Sequence, residues 1–196
     1  MENLLFLLLA AFPLMGSPGP VTMSLAGLGS AFGFRPGLGY LCGVMVGTTA
    51  VLLMIASGVT VLLLAQPALL TALIVLAGAY ILYLAWKIAT APVGRAVKTI
   101  HHPPAFASGF ALAIANPKAF AAIGAVYSGH SVFAGDPMLD MIAKIAALTG
   151  VILVSQSTWL AFGAGFSKVL THPKIGRAVN VTFAVMLLAS VGLALT

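Results

Sequence analysis

Charge is scarce in this sequence. Of 196 residues, nine are Lys or Arg and three are Asp or Glu. Those three carboxylates, Glu2, Asp136 and Asp140, leave no basis for paired-carboxylate acid–base catalysis. Cysteine is rarer still. Cys42 stands alone in an apolar segment, which excludes an internal disulfide and a Cys-x-x-Cys redox pair. The histidines offer no metal site: His101 and His102 adjoin in a loop without a nearby Cys, Asp or Glu, and His130 and His172 are expected on opposite sides of a membrane. Phosphate-cradling motifs of the form G-x-x-x-x-G-K-S/T are missing as well. The chain is therefore expected to be no enzyme, to need no cofactor and no metal, and not to power any process by hydrolysing ATP. A net charge of +6 would suggest nucleic acid as a partner, but no soluble surface exists to carry such a patch.

What fills the space is apolar: 61% of the residues are hydrophobic and the mean hydropathy is +1.15, far outside the range of soluble domains. The composition predicts an all-α integral membrane protein with lipid as its surroundings. No formal charge lies between Glu2 and Arg35, nor between Arg35 and Lys87, and about 20 residues suffice to cross the hydrocarbon core. Segmentation predicts six spans, about 4–32, 38–64, 67–89, 106–127, 139–164 and 176–195. They form a single transmembrane domain over 1–196, divided by the proline-bearing connection "TAPVGRAVKTIHHPPA" into halves 1–92 and 104–196. A secretory signal peptide fits the start poorly, because "MEN" is acidic and the apolar pattern resumes after Pro20. If the spans alternate, Arg35, Lys87, Arg95, Lys98, Lys168, Lys174 and Arg177 all fall on one side. The positive-inside rule makes that side cytoplasmic and sets both termini outside the cytoplasmic membrane.

Two spans contain helix breakers. "GSPGP" interrupts the first and "ANPK" the fourth, and Pro117 follows Pro18 by 99 residues in a chain whose half-length is 98. Matching breaks one half-chain apart predict two three-span repeats, and an odd number of spans makes them inverted, as in secondary transporters. Ser17 before Pro18 and Asn116 before Pro117 each place a capping side chain ahead of a proline at the first helical position. Gly19 and Pro20 complete the first break. Two half-helix starts offer N–H groups and positive dipole ends, and Lys118 adds a full charge about 11 residues from either membrane face, too deep to snorkel easily. The combination predicts a midplane cavity that binds a carboxylate. The bland reading is that each proline merely kinks its helix; the pairing of two breaks with a central lysine outweighs it.

Other signals admit two readings each. Gly39, Gly43 and Gly47 repeat at i+4 and predict a close-packing face, used either within the chain or in a homodimer. "SQSTW", residues 155–159, must turn some polar groups inward, and Gln156 serves interhelical hydrogen bonding or the substrate. Tyr80, Tyr83 and Trp86 suit an interfacial belt. Asp136, Asp140 and Lys144 recur at i+4 where the fifth span begins, and a snorkelling, partly paired Lys144 is expected there.

"GSPGP", "RPGLGYLCGVMVG", "LAGAYILYLAWKI" and "FASGFALAIANPKAF" occur in an order and spacing that resemble the LysE/RhtB family of amino-acid exporters over most of residues 10–125. The resemblance implies a six-span secondary exporter of amino acids or related metabolites that uses an ion gradient. Members of that family often carry an acidic residue where this chain has Thr48, which cannot hold a charge. A neutral amino acid or a monocarboxylate-bearing metabolite is therefore expected in preference to lysine. The rival function is a non-transporting membrane scaffold whose kinks and glycines serve packing alone.

Overall fold

The computed structural model describes residues 2–58, 75, 79, 81–90, 104–165 and 172–192. These fold into eight helices, with no strand among the described residues: α1 (Glu2–Gly16), α2 (Pro20–Phe32), α3 (Phe34–Ala56), α4 (81–89), α5 (Phe106–Ile114), α6 (Pro117–Gly129), α7 (Pro137–Gly165) and α8 (Pro173–Gly192). Proline opens α2, α6, α7 and α8, where its fixed φ is already helical and its missing N–H leaves no bond unmade. Asp136 caps α7, its Oδ1 accepting from the N–H groups of Met138 at 3.1 Å and Leu139 at 3.0 Å. Gly33, at φ +86, turns the chain from α2 into α3 in a conformation that disfavours any side chain.

The first and fourth expected spans are each two helices. The axis bends by 63° between α1 and α2, and by 60° between α5 and α6. Both sharp bends fall at the proline motifs. By length and apolar composition α3 and α7 can each cross a membrane, and the two bent pairs raise the candidates to four. Most of the third expected span, Tyr80 and residues 91–103 with Arg95, Lys98, His101 and His102 lie outside the described residues.

Polarity is distributed as in a protein bathed in lipid. Leu5, Phe6, Leu9, Ile142, Val154, Phe162 and Val185 are exposed, whereas Ser24, Ser30 and Asn180 are fully buried. Inside, the apolar side chains form two clusters. One gathers Met23, Leu25, Leu28, Tyr40, Val44, Leu84, Ile88, Leu112 and Leu160; the other gathers Leu7, Ala11, Val51, Leu52, Ile123, Val126, Leu148 and Ile152. Along α3 and α7 the change from one cluster to the other falls at Thr48 and at Gln156. Both breaks meet the core at the same level.

Glycine governs how closely the helices of the first cluster approach. A Cβ on Gly43 would stand 2.0 Å from the Phe106 carbonyl oxygen, and one on Gly47 would stand 2.8 Å from that of Phe110. Gly109 packs back against the Tyr40 carbonyl, while Gly29 and Gly163 do the same between α2 and α7. Gly43 and Gly47 thus serve packing of α3 on α5 within the chain, and Gly39 has no neighbour within 4 Å of its Cβ position.

Candidate functional site

The first break differs from its expected form. Ser17 does not cap α2; its hydroxyl donates to the Leu14 carbonyl at 2.9 Å and so finishes α1. Gly19 is the cap and Pro20 the first helical residue. The reason lies in Pro20, which disfavours the helical region for residue 19 and delays the helix past Pro18. Thr22 completes the turn: its Oγ1 accepts from the Gly19 N–H at 2.8 Å and donates toward the Gly19 carbonyl at 3.1 Å. At the second break Asn116 holds the cap position with Pro117 following it, yet its side chain makes no capping hydrogen bond.

The two breaks face one cavity of about 40 Å³, enough for a few water-sized atoms. Gly19, Thr48, Asn116, Lys118 and Gln156 line it, together with Thr22 and Ser155. Ser17, Pro18, Pro20 and Pro117 do not. Ser17 and Pro18 act instead through their backbone carbonyls, both of which accept from the Lys118 Nζ, that of Pro18 at 3.0 Å. Lys118 on α6 therefore reaches across to the unwound segment after α1, tying the two halves together. Gly19 makes room for it, because a Cβ there would stand 2.6 Å from the lysine Cδ. Two of the three ammonium N–H groups are engaged by these carbonyls, which leaves one for a ligand.

The opposite wall is uncharged. Gln156 on α7 donates from Nε2 to the Thr48 hydroxyl of α3 at 2.9 Å, and Thr48 in turn donates to the Val44 carbonyl at 2.9 Å. With Nε2 on Thr48, the Gln156 Oε1 is buried and without a hydrogen-bond partner among the described residues. Asn116 Oδ1 is likewise buried and unpaired among them. Below the cavity, Trp159 Nε1 donates to the Gly16 carbonyl at 2.9 Å and holds the end of α1 against α7. Thr22 was missed in the sequence, because the signal expected three residues after a cap is Glu or Gln and a threonine there is not distinctive. Ser155 was noticed there as one of five neighbouring polar residues; helical phase alone separates it and Gln156 from the exposed Thr158.

Lys144 is paired, as expected. Buried at 7% exposure, it forms an ion pair with Asp140 at 2.9 Å, donates to the Tyr127 and His130 carbonyls at 3.0 and 3.1 Å, and stands 4.3 Å from the centre of the Tyr127 ring. Asp140 also accepts from the N–H groups of Val132 and Phe133, at 2.6 and 2.9 Å, so the pair binds the turn after α6 to the start of α7. The ammonium thus uses carbonyls that the end of α6 leaves free.

The family model described as LysE type translocator matches residues 13–196. The chain is 29% identical over 172 residues to a cysteine/O-acetylserine efflux protein of Salmonella paratyphi A, covering 87% of this chain and 86% of the relative. A protein of the same description from Escherichia coli O139:H28 is 28% identical over 176 residues, covering 88% and 87%. No solved structure gave a significant match.

Proposed function

The chain belongs to the LysE type translocator family, and we propose that it exports amino acids or related carboxylate-bearing metabolites across the cytoplasmic membrane by alternating access. One observation carries this reading: two broken helices from different halves of the chain bring their N-terminal turns to one cavity of mixed polar and apolar lining, where Lys118 supplies a positive charge. The first-turn N–H groups and the dipoles of α2 and α6 add to that charge, and together they suit a carboxylate.

The six-span arrangement in two inverted repeats supplies the motion. The cavity lies between two separate apolar clusters, so rocking one half against the other would open one cluster while the other stays closed. Lys118 joins the halves through hydrogen bonds that a substrate carboxylate would compete for, which would link binding to that motion. A homodimer is part of the proposal but draws no support from Gly43 and Gly47, which are used internally; crosslinking in membranes at low expression tests it.

The decisive experiment is efflux from preloaded vesicles that contain the purified protein. Cysteine and O-acetylserine head the panel because the relatives are named for them. Release above that from protein-free vesicles is expected for at least one amino acid. A panel in which no solute is released faster would favour the scaffold reading.

A further inference from the structure

The cavity holds an asymmetry that a carboxylate site does not use. Besides the Lys118 ammonium, residues of its lining supply two acceptor oxygens, Asn116 Oδ1 and Gln156 Oε1, and neither has a hydrogen-bond partner among the described residues. Both side chains are more than nine-tenths buried, at 6% and 5% exposure. A buried unpaired carbonyl oxygen is unfavourable, so two of them around one cavity need a reason. Among the described residues one other buried side-chain atom lacks a partner, Asn180 Nδ2, which lies outside the cavity and whose Oδ1 accepts from the Ser30 hydroxyl at 3.0 Å.

We propose that Asn116 Oδ1 and Gln156 Oε1 form a subsite for the ammonium group of the substrate, so that the cavity takes zwitterionic neutral α-amino acids and rejects acids that lack the amine. The inference rests on the exporter reading and names its substrate class. A substrate carboxylate that takes the remaining Lys118 N–H leaves its α-ammonium to the two amide oxygens. There the two oxygens accept from an ammonium, whereas a hydroxy acid would offer one hydroxyl donor for two acceptors. A second positive charge finds no counter-ion, because the chain has three carboxylates and none lines the cavity. Neutral acceptors suit a substrate that must also leave: they satisfy the ammonium without the stronger attraction of a buried carboxylate.

The test uses the full chain in proteoliposomes and compares counterflow of L-alanine, L-serine, L-cysteine and O-acetyl-L-serine with that of the amine-free 2-hydroxy analogue of each. The amino acid of at least one pair should exchange, and its analogue should compete about 10- to 100-fold less well, the worth of one or two hydrogen bonds to a charged group. Gln156→Leu should raise KM for that amino acid by a similar factor and leave the weak competition by the analogue unchanged. Gln156→Glu, which keeps an acceptor, should restore binding of the amine. Asn116→Ala provides the same comparison through the other oxygen if Gln156→Leu does not fold. Equal exchange of an amino acid and its analogue would overturn the ammonium subsite while leaving the exporter intact. Absence of exchange by every member of both series would overturn the exporter reading and this one with it.

Discussion

Lys118 is an ammonium whose nearest partners are backbone carbonyls rather than carboxylates. An amine inside a membrane protein is costly, so a chain that retains one purely for stability would do better with methionine. Lys118→Met is therefore expected to fold and insert while transport falls by about tenfold or more, the scale of a lost charge-assisted hydrogen bond. Lys118→Arg should recover part of the rate, since a planar guanidinium cannot reproduce a compact ammonium. Wild-type rate and affinity in Lys118→Met would remove the residue from the site. Gly19 makes a sharper probe. Its φ of −173 is open to any residue, so Gly19→Ala should leave the backbone undisturbed while the new methyl displaces the lysine stem. Efflux should drop with little change in Tm.

Helix pairs in this fold are set by backbone approach. Gly43→Ala places a methyl against the Phe106 carbonyl of α5, and Gly163→Ala places one against the Ala26 carbonyl of α2. Neither obstacle is a side chain that can turn aside, so each substitution should lower stability by about 1–3 kcal/mol or more. Gly39→Ala, with open space around it, serves as the control and should leave the thermal transition of the solubilised protein unchanged. An equal loss in all three variants would mean that something other than packing is being read, since Ala in place of Gly by itself favours a helix. The turn between α6 and α7 depends on charge instead. Asp140→Asn strips the buried Lys144 of its counter-ion, whereas Asp140→Asn with Lys144→Met removes both charges. The single variant is expected to melt below the double one, because an uncompensated buried charge is worse than none.

The molecule as a whole carries many large apolar side chains on its exterior, and its orientation in the bilayer is proposed from charge. If the spans alternate, Arg35, Lys87, Arg95, Lys98, Lys168, Lys174 and Arg177 fall on one side, and the termini and the turn at Ser131 are proposed to face outward. Arg177 of α8 donates to the Ala89 carbonyl at the end of α4, which puts two of the expected cytoplasmic ends together. In a Cys42→Ser background, an impermeant thiol reagent applied to intact cells should label Ser131→Cys and spare Lys98→Cys. The reverse pattern would invert the topology.

Much of this was legible from residue types and spacing. Hydropathy marked where α3 and α7 run, since about 20 uncharged residues have few alternatives to a helix in lipid. Proline marked both breaks, because it removes a backbone donor and crowds the preceding turn; it is a signal and not a rule, since α1 runs through Pro13. The exact restart of the first broken helix was less accessible: Ser17 and Gly19 both precede a proline, and the choice between them depends on Pro20 together with the hydrogen bond from Thr22. Which polar side chains meet was beyond one-dimensional reading. Thr48 and Gln156 are 108 residues apart, and Lys118 stands about as far from the carbonyls it binds. Their encounters depend on glycine-permitted helix approach and on two bends near 60°, quantities that arise only when the helices pack. Local preferences act over a few residues and so specified the elements. The cavity, its two unpaired oxygens and the α6 carbonyls that Lys144 binds belong to the packed structure, since each requires groups from more than one helix.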